Sequence, residues 1–485
     1  MENKLKNIFG DMLVYKSPSN AKIFSARNLP SFMRDWLMMR FADAEGNLDT
    51  AEVSDYVEKN IPKAEQWKKY LIDLMHHNKP ARFLAKVKID FDINKRRALF
   101  SLPDFSFPPK KDSAVADWEV VEKNQKYLLS PTEAWGIVEI HCRNDTKDKT
   151  TYNLTDFVPF CPYTIELEYY VNARENFSVD EWANIILGAV DYNPDGYETP
   201  LQKFSMLKRL LPFVEKRLNL IELAPKETGK SYLFSQISKY GWLISGGSIT
   251  RAKMFYDINK RAPGLVSRYD YVAFDEIQSI TFKGDALEMQ GALKGYLESG
   301  EYRVGNVRDT GNAGLILLGN IDSDSMNENK NMFADLPAIF QESALIDRFH
   351  GFIKGWHIPK MRENLKADGW ALNAEYFGEI MHLLRDELCY RAVVDEILDV
   401  PKNAATRDTE AIKRICTGFL KLLFPHVRTV EKINTAEFEK FCLRPAKEMR
   451  GIIKTQLGIL DFGEFGRSVI PDIKVKEKFC GIMAK

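Results

Sequence analysis

The sequence predicts an α/β protein whose core follows a helical region and a β-rich region and precedes a second helical region. Three observations support this prediction. Within residues 176–358, apolar strand-like segments alternate with helical ones, the order expected for a parallel sheet. Residues 81–175 show short segments of alternating apolar and polar residues. Residues 1–80 and 359–485 show apolar residues at three- and four-residue spacing. We therefore expect four regions with these bounds.

The first two regions precede the core. The segments LPSFMRDWLMMRF and AEQWKKYLIDLMHHN predict helices, whereas FLAKVKIDFDI, RRALFSLPDFSF, EAWGIVEIHCR and TIELEYYV predict a small β-barrel or sandwich. OB-like barrels bind nucleic acids through basic and aromatic surface residues, so this β-rich region is a candidate DNA collar. Any one of its basic residues is more simply explained as a charge that protects a solvated strand edge. They are Lys86, Lys88, Lys95, Arg96 and Arg97.

The composition excludes several classes of protein. The chain has 485 residues with 68 basic and 68 acidic side chains, so net charge neither proves nor excludes a nucleic-acid partner. Its six cysteines form no CxxC pair, and the adjacent His76 and His77 cannot share a helical face. A disulfide framework and a zinc site are therefore not expected. No apolar run approaches the ~20 residues that span a bilayer, and we expect a cytoplasmic protein without a membrane partner.

The core opens with LIELAPKETGKSYLF, which has the features of a phosphate-binding loop. Such a loop needs main-chain amides at a helix start, a lysine for phosphate charge and a hydroxyl for magnesium. Gly229, Lys230 and Ser231 meet these needs. The expected nucleotide contacts are Pro225, Lys226, Glu227, Thr228, Gly229, Lys230, Ser231 and Tyr232. The alternative is a chance TGKS on an ordinary strand–helix turn.

Two positions depart from the usual GxxxxGK pattern of such loops. Ala224 stands at the first glycine position, and Glu227 stands where many AAA+ loops have another glycine. A carboxylate that faces phosphates is unfavourable. We therefore expect Glu227 to point outward, to solvent or magnesium, and to lower the affinity for nucleotide.

A second strand, YDYVAFDE, ends in an acidic pair about 45 residues after the lysine, as Walker B segments do. We expect Asp275, together with Ser231, to hold Mg²⁺, and Glu276 to orient the attacking water. The alternative is an acidic pair that caps the next helix. The two segments together predict a site for ATP and Mg²⁺.

Three further residues complete the predicted site. Asn320 ends the strand GLILLGN and would align the water, the role of sensor 1 in AAA+ proteins, although Gly-Asn alone is more typical of a turn. Arg348, in SALIDRFHGFI, lies in a segment similar to the arginine-finger region of replicative MCM helicases, which acts on a neighbouring subunit. Arg407, in ATRDTEAIKRICTGFL, resembles the sensor 2 residue of an MCM-like lid. The alternative for Arg348 is a surface salt bridge, and the alternative for Arg407 is a solvated charge at a helix end.

Between the acidic pair and Asn320, the segment FKGDALEMQGALKGYLESGEYRVGNVRDTGNAG predicts a helix followed by a β-hairpin. Lys294, Arg303 and Arg308 could neutralise a DNA backbone in a ring's central channel. They are equally well explained as solvated charges. Tyr302 is the hairpin's only aromatic residue, and a basic rather than aromatic loop favours DNA over polypeptide.

These motifs resemble those of the BrxL family, the Lon-related AAA+ components of bacterial BREX phage-exclusion systems. The resemblance covers roughly residues 180–455 and rests on ELAPKETGKSYLFSQISKYGWLISGGSITRAKMFYDI, YDYVAFDEIQS, ALKGYLESGEY, LLGNI, LIDRFHGFIKGW and TRDTEAIKRI. It implies a DNA-binding, MCM-like ring that restricts phage propagation beside other BREX proteins. Fuller-length members have a Lon-protease-like domain. Because the sequence stops at Lys485, we expect a short form without Lon-type protease activity.

We therefore expect an AAA+ P-loop core with an OB-like collar and a C-terminal helical lid, assembled as a hexameric ring, single or stacked in pairs. The expected activity is ATP-driven translocation along DNA or its remodelling. Two alternatives stay open. One is a protein unfoldase that serves a separate protease, and the other is a nucleotide-gated DNA clamp with little turnover, which Glu227 favours.

Overall fold

The computed structural model describes residues 1–24, 29–43, 45–108, 110–129, 133–145, 149–160, 163–259, 261–467 and 469–479. Cys161 and Cys480 lie outside these residues, and the four other cysteines are free thiols. None of the helices within the described ranges is long and apolar enough to cross a bilayer.

The chain divides into two compact units, which we call the sheet unit and the barrel unit. The sheet unit comprises Met1–Pro18, Pro30–Asp35 and Ile165–Lys485, and the barrel unit comprises Ser19–Leu29 and Trp36–Thr164.

The helices are, in chain order, α1 (Glu2–Phe9), α2 (Pro18–Ile23), α3 (Ser31–Phe41), α4 (Thr50–Asn60), α5 (Trp67–Met75), α6 (Trp118–Lys123), α7 (Gln125–Leu128), α8 (Leu167–Ala173), α9 (Val179–Ala189), α10 (Pro200–Lys208), α11 (Leu211–Val214), α12 (Lys230–Gln236), α13 (Arg251–Met254), α14 (Leu265–Arg268), α15 (Ala286–Ser299), α16 (Ser343–Ile346), α17 (Ala374–Leu384), α18 (Cys389–Ile397), α19 (Thr406–Leu423), α20 (Thr435–Phe438), α21 (Arg444–Leu460) and α22 (Phe462–Phe465). The strands are β1 (Leu13–Lys16), β2 (Ala81–Asp92), β3 (Arg97–Ser101), β4 (Ala114–Ala116), β5 (Ala134–Asp145), β6 (Lys149–Pro159), β7 (Leu220–Ala224), β8 (Gly241–Ser245), β9 (Ser248–Thr250), β10 (Tyr256–Asp257), β11 (Ala262–Pro263), β12 (Tyr271–Asp275), β13 (Thr281–Lys283), β14 (Glu301–Val304), β15 (Val307–Thr310), β16 (Gly314–Asn320), β17 (Gly351–Lys354), β18 (Gly369–Leu372), β19 (Leu398–Asp399) and β20 (Lys474–Val475).

The barrel unit is built on a closed barrel with the strand order β2-β3-β4-β6-β5. Inward-facing apolar residues such as Phe83, Phe100 and Val138 fill it. Gly136 is required where β5 passes β6, because a Cβ at this position would lie 2.4 Å from the Phe157 ring. Three of the four predicted strand segments thus contribute to a closed sheet, which leaves no open edge. The prediction of a strand for TIELEYYV is wrong, because Leu167–Ala173 form α8 of the sheet unit, whose apolar face is buried.

Four of the five basic residues on or beside the first barrel strands lie near carboxylates. The ion pairs are Lys86 with Asp104 (3.4 Å), Lys88 with Asp90 (3.5 Å), Lys95 with Asp112 (2.6 Å) and Arg97 with Asp92 (4.0 Å). This pairing favours the explanation of these residues as solvated surface charges.

The sheet unit has a five-stranded parallel sheet with the order β17-β7-β16-β12-β8. Every residue of β7 and of β12 is buried, as expected for strands of a parallel sheet that is covered on both faces. The register places Asn320 beside Ala224 and Phe274 beside Leu317. The ends of β7, β12 and β16 therefore meet at the carboxyl edge of the sheet.

The N-terminal strand β1 belongs to the sheet unit. It pairs antiparallel with β18, from Leu13 beside Leu372 to Lys16 beside Gly369. Lys16 is buried and pairs with Asp191 at 2.6 Å and with Asp35 at 3.0 Å. Residues before position 20 thus complete a structure formed mostly by residues after position 165.

Two β-hairpins lie between β9 and β16. The predicted hairpin is formed by β14 and β15, and an unpredicted one is formed by the short strands β10 and β11. Their tips are neighbours, because a Cβ built on Gly305 would lie 3.0 Å from Ile258 Cδ1.

Candidate functional site

The predicted phosphate loop connects β7 to α12 at the carboxyl edge of the sheet. Gly229 precedes the helix with φ of 76°, a left-handed conformation that favours glycine. The Tyr192 hydroxyl donates a hydrogen bond to the Gly229 carbonyl at 3.3 Å. A Cβ at Gly229 would lie 2.7 Å from that hydroxyl, so glycine is required by both conformation and packing.

Lys230 turns back under the loop and lies at the end of β16. Its Nζ donates to Asn320 Oδ1 at 3.2 Å, to the Gly319 carbonyl at 3.3 Å, and to the carbonyls of Ala224 and Pro225 at 3.4 Å. The side chain is buried, and this burial lowers the lysine pKa. All four of these acceptors are uncharged, so none of them neutralises the ammonium. The positive charge of Lys230 is therefore suited to binding an added anion.

Ser231 lies against the acidic end of β12. Its hydroxyl donates to Asp275 Oδ2 at 2.5 Å, and Asp275 is buried. The next residue, Glu276, is exposed and has φ of 49°. The backbone therefore directs two consecutive carboxylates to different surroundings, one beside the serine hydroxyl and one in solvent.

Asn320 is fixed by a glutamine that sequence reasoning missed. Gln278 Nε2 donates to the Asn320 carbonyl at 2.8 Å, and the Asn320 main-chain N–H donates to Gln278 Oε1 at 3.4 Å. The Asn320 side chain thereby faces Lys230. The only sequence signal was the position of Gln278, three residues after Asp275.

A buried ion pair lies beneath the loop and was also missed. Arg209 donates to Glu222 at 2.5 and 2.9 Å, and neither side chain is exposed. Arg209 also donates to the Thr228 carbonyl at 2.7 Å and to its hydroxyl at 3.1 Å. Burial lowers the pKa of Arg209, but the Glu222 carboxylate outweighs it and the pKa lies above its ordinary value. The pair thus fixes the loop from below.

Glu227 and Lys226 lie on the outer side of the loop, where both are exposed. Glu227 has φ of 69°, its carboxylate lies 3.6 Å from Lys360 Nζ, and its carbonyl accepts from the Met361 N–H at 2.7 Å. The outward direction agrees with the expectation for this unusual residue.

Tyr232 directs its side chain away from the loop. Its hydroxyl donates to Asp191 Oδ2 at 2.5 Å and accepts a hydrogen bond from Arg34, so it connects α12 to α3. A nucleotide contact from Tyr232 would have to come from its main chain.

Arg348 and Arg407 lie together, but near the opposite end of the sheet. Arg348 precedes β17, whose first residue Gly351 is in register with Leu220 at the amino end of β7. Both arginines contact Glu298: Arg348 Nε lies 2.8 Å and Arg407 Nη2 lies 2.9 Å from Glu298 Oε2. From this end of the sheet, the five residues of β7 extend about 13 Å, at the rise of a strand, to the phosphate loop.

The predicted DNA-contacting residues lie on α15 and the β14–β15 hairpin. Lys294 pairs with Glu342 at 2.5 Å, and Arg308 pairs with Glu301 at 2.6 Å. Arg303 is exposed and stands opposite Arg308 in the strand register. Tyr302 is buried, so the hairpin's aromatic residue is part of the core and not of the exposed surface.

The residues at the carboxyl edge fit a magnesium-bound nucleotide by the chemistry of their donors. A buried ammonium with uncharged partners, a helix start and a serine–aspartate pair are the groups that bind phosphate and Mg²⁺. Across the described ranges there is no cluster of three or more His, Cys, Asp or Glu residues that could enclose a metal. Magnesium typically takes one or two protein ligands and completes its shell with phosphates and water. Ser231 and Asp275 suit that arrangement.

Two protein families match the chain. The family described as "BREX system Lon protease-like protein BrxL N-terminal" matches residues 7–142. The family described as "Lon-like protease BrxL-like, ATPase domain" matches residues 152–470, which is more than half of the chain and includes all predicted site residues.

Curated relatives agree with these matches. The "Lon-like protease BrxL" of Escherichia coli O9:H4 (strain HS) is 30% identical over 402 residues, which cover 81% of this chain and 56% of the relative. The protein of the same name from Bacillus cereus (strain H3081.97) is 29% identical over 354 residues, which cover 72% of this chain and 51% of the relative. The chain therefore spans about half the length of these relatives.

Proposed function

The chain belongs to the BrxL family of BREX systems, as its motifs predict, and from this premise we propose that it is a magnesium-dependent AAA+ ATPase whose ring acts on DNA in phage defence. Family membership includes an ATPase domain and an association with BREX proteins. Magnesium, the ring, the DNA substrate and an MCM-like mechanism are parts of the proposal.

One geometric observation supports the nucleotide site above all others. Lys230 Nζ lies 3.2 Å from Asn320 Oδ1, and Ser231 Oγ lies 2.5 Å from Asp275 Oδ2. These contacts join residues that are 90 and 44 positions apart in the sequence. Ligands of open α/β sheets bind at the carboxyl ends of the strands, which is where these residues meet.

The proposed chemistry depends on position and charge. Bound ATP and Mg²⁺ supply the phosphoanhydride bond and the cation that offsets its charge. Lys230 and the first amides of α12 bind phosphate oxygens, and Ser231 and Asp275 hold the cation. Glu276 accepts a hydrogen bond from the attacking water and orients it. The Asn320 amide aligns the same water from the neighbouring strand.

The positions of Arg348 and Arg407 support assembly into a ring. The pair lies near the amino end of β7, whereas the phosphate loop of the same chain follows the carboxyl end. Both arginines would instead complete the site of an adjacent subunit, as arginine fingers do. Such head-to-tail contacts close into rings, and we propose a hexamer, single or stacked in pairs.

Two adjacent hairpin tips support DNA as the substrate. Arg303 and Arg308 are exposed on one tip, and Arg261 is exposed on the other. Basic side chains on hairpins can neutralise phosphate without reading the sequence. Because Tyr302 is buried, the predicted hairpin exposes no aromatic residue that could grip a polypeptide.

One observation favours a protein unfoldase as the second candidate. Ile258, at the tip of the β10–β11 hairpin, is 51% exposed beside Gly305. An exposed apolar residue at this position could contact an unfolded polypeptide. The third candidate, a nucleotide-gated DNA clamp with little turnover, rests on the outward-facing carboxylate of Glu227.

An assay of phosphate release tests these three functions. Turnover is measured without any polymer and then with duplex DNA, single-stranded DNA or unfolded protein. We expect DNA to stimulate the wild type and Lys230→Ala to abolish turnover. Stimulation by polypeptide alone would replace DNA with the unfoldase function, and nucleotide-dependent DNA binding without turnover would indicate the clamp. We also propose that this chain lacks Lon-type protease activity, so the unfolded protein should stay intact on a gel.

A further inference from the structure

Glu298 occupies a position between the two arginines and the predicted DNA hairpin. It is the penultimate residue of α15, and one of its carboxylate oxygens, Oε2, lies 2.8 Å from Arg348 Nε and 2.9 Å from Arg407 Nη2. Arg407 Nε also donates to the same carboxylate at 3.2 and 3.3 Å. A single carboxylate therefore holds both cations that the proposed function assigns to a neighbouring subunit's nucleotide.

Glu298 and both arginines line a cavity of about 600 Å³. A second acid, Asp347, also pairs with Arg407 at 3.0 Å, but it is 7% exposed and is held in addition by the buried Arg450 at 2.7 Å. Glu298 is 45% exposed. Exposed ion pairs are weak because water screens them, so of these two acids Glu298 is the one that a phosphate group can most easily displace.

The same helix end forms the base of the hairpin. Gly300 has φ of 81° and accepts a hydrogen bond from the Gly311 N–H at 2.9 Å, which closes the hairpin's base. A Cβ on Gly300 would lie 2.6 Å from the Arg217 side chain, so this turn is tightly packed. Glu301 begins β14 and pairs with Arg308 across the hairpin. Only two residues therefore separate Glu298 from Glu301, the partner of Arg308.

From this arrangement we propose that Glu298 is a latch that holds Arg348 and Arg407 in an inactive pair and releases them when the neighbouring subunit presents nucleotide, which also repositions the β14–β15 hairpin. Glu298 acts through the two arginines and the hairpin base, so it is a positioning residue. The inference rests on the proposed function, because it needs the arginines to act on another subunit.

Glu298→Gln tests the latch because it removes the charge and keeps the size of the side chain. Above the protein concentration at which rings form, we expect turnover without DNA to rise about two- to fivefold, the range that an exposed ion pair supports. DNA should then stimulate turnover less than in the wild type. The concentration of a non-hydrolysable ATP analogue that drives assembly, measured by sedimentation, should fall by a similar factor.

The matched control is Glu288→Gln on the same helix. Glu288 is 55% exposed and pairs with Arg251 at 2.6 Å, away from both arginines. A purely structural role for Glu298 would lower thermal stability and turnover together. Turnover and assembly equal to those of the control would overturn the proposal.

Two further variants distinguish a failure of the latch proposal from a failure of the proposed ATPase function. Glu298→Asp keeps a shorter carboxylate and should give an intermediate rise in turnover, and no rise would contradict the latch even if the glutamine variant failed to fold. Lys230→Ala, measured in parallel, reports on the proposed function itself. If Lys230→Ala retains full turnover, the ATPase assignment fails, whereas loss of turnover there with no effect at Glu298 rejects only the latch.

Discussion

Arg209 and Glu222 form an ion pair with no solvent exposure at either side chain, directly beneath the loop that ends at Gly229. Because Arg209 also holds Thr228, the pair joins the stability of the sheet to the shape of the loop. Removing one partner leaves the other as an uncompensated buried charge.

Arg209→Leu should therefore lower the free energy of unfolding by about 3–5 kcal/mol. Denaturant titration measures this change, and nucleotide affinity should fall with it because Thr228 loses its anchor. The double variant Arg209→Leu with Glu222→Leu should recover most of the stability, since neither charge remains. Arg82→Ala, at an ion pair where Arg82 is 52% exposed, is the control and should cost less than about 1 kcal/mol. An equally small loss at Arg209 would contradict the anchoring role.

The two carboxylates after β12 should separate binding from hydrolysis. Glu276→Gln should lower turnover by about 100-fold or more, because the water loses the group that orients it, while nucleotide affinity stays within about a factor of three. Asp275→Asn should instead weaken magnesium-dependent nucleotide binding. Fluorescent-nucleotide titration with and without magnesium, together with phosphate release, measures both. The assignment is wrong if Glu276→Gln turns over normally or Asp275→Asn binds normally.

Replacement of the unusual loop glutamate should strengthen nucleotide binding. Glu227→Gly removes an exposed negative charge near the phosphates, and we expect affinity to rise about two- to fivefold. Glu227→Gln separates the effect of charge from that of backbone conformation, because it keeps a side chain at φ of 69°. Titration at low and high salt should show the gain shrinking as salt screens the charge. If the wild type, Glu227→Gly and Glu227→Gln bind nucleotide with equal affinity, Glu227 does not weaken nucleotide binding.

The hairpin arginines should affect DNA binding through its dependence on salt. Arg303→Ala and Arg308→Ala should each reduce the slope of log affinity against log salt by about 1, because each removes one phosphate contact. Lys59→Ala, 70% exposed on α4, is a matched surface control. Duplex binding measured by anisotropy at several salt concentrations gives the slopes. Slopes that match the control would assign these arginines to the solvated surface.

His350 should make the fold sensitive to acid. Burial, together with Arg414 and Arg450, holds its pKa well below the ordinary value, and its Nδ1 accepts a hydrogen bond from the Asn219 N–H at 3.0 Å. In the unfolded chain a histidine takes up a proton near pH ~6.5, whereas His350 in the folded protein stays neutral. As the pH drops below ~6.5, protonation therefore favours the unfolded state and the free energy of unfolding falls. His350→Gln should flatten the decrease in melting temperature between about pH 7.5 and about pH 5.5. The same substitution at the exposed His76 is the control, and equal pH profiles for both variants would contradict this role.

The core strands could be predicted because their signal is local. NLIELAP, GWLISGG, YDYVAFDE and GLILLGN are short apolar runs, and they contain β7, β8, β12 and β16. Lys230, Ser231 and Asp275 could be placed together because parallel strands bring their carboxyl ends to one edge. The expected hairpin also has a local signal, the turn at Gly305.

The remaining contacts depend on residues that are distant in sequence or look ordinary in it. Arg209 occurs in the mixed segment SMLKRLLPF, where a basic residue is typically solvated, and only Glu222 within the apolar run LIELA hinted at a buried partner. The shared contact of Arg348 and Arg407 with Glu298 joins three separate segments. No periodicity predicts the pairing of β1 with β18, which joins residues more than 350 positions apart.

That last pairing limits how the protein can be dissected. A fragment cut to the ATPase match at residues 152–470 would lose β1, and with it the Lys16 ammonium that neutralises Asp191. Asp191 would keep its hydrogen bond from Tyr232, the residue after Ser231, but would lose two cationic partners, Lys16 and Arg34. A fragment that keeps the sheet unit whole must therefore also include residues 1–18 and 30–35.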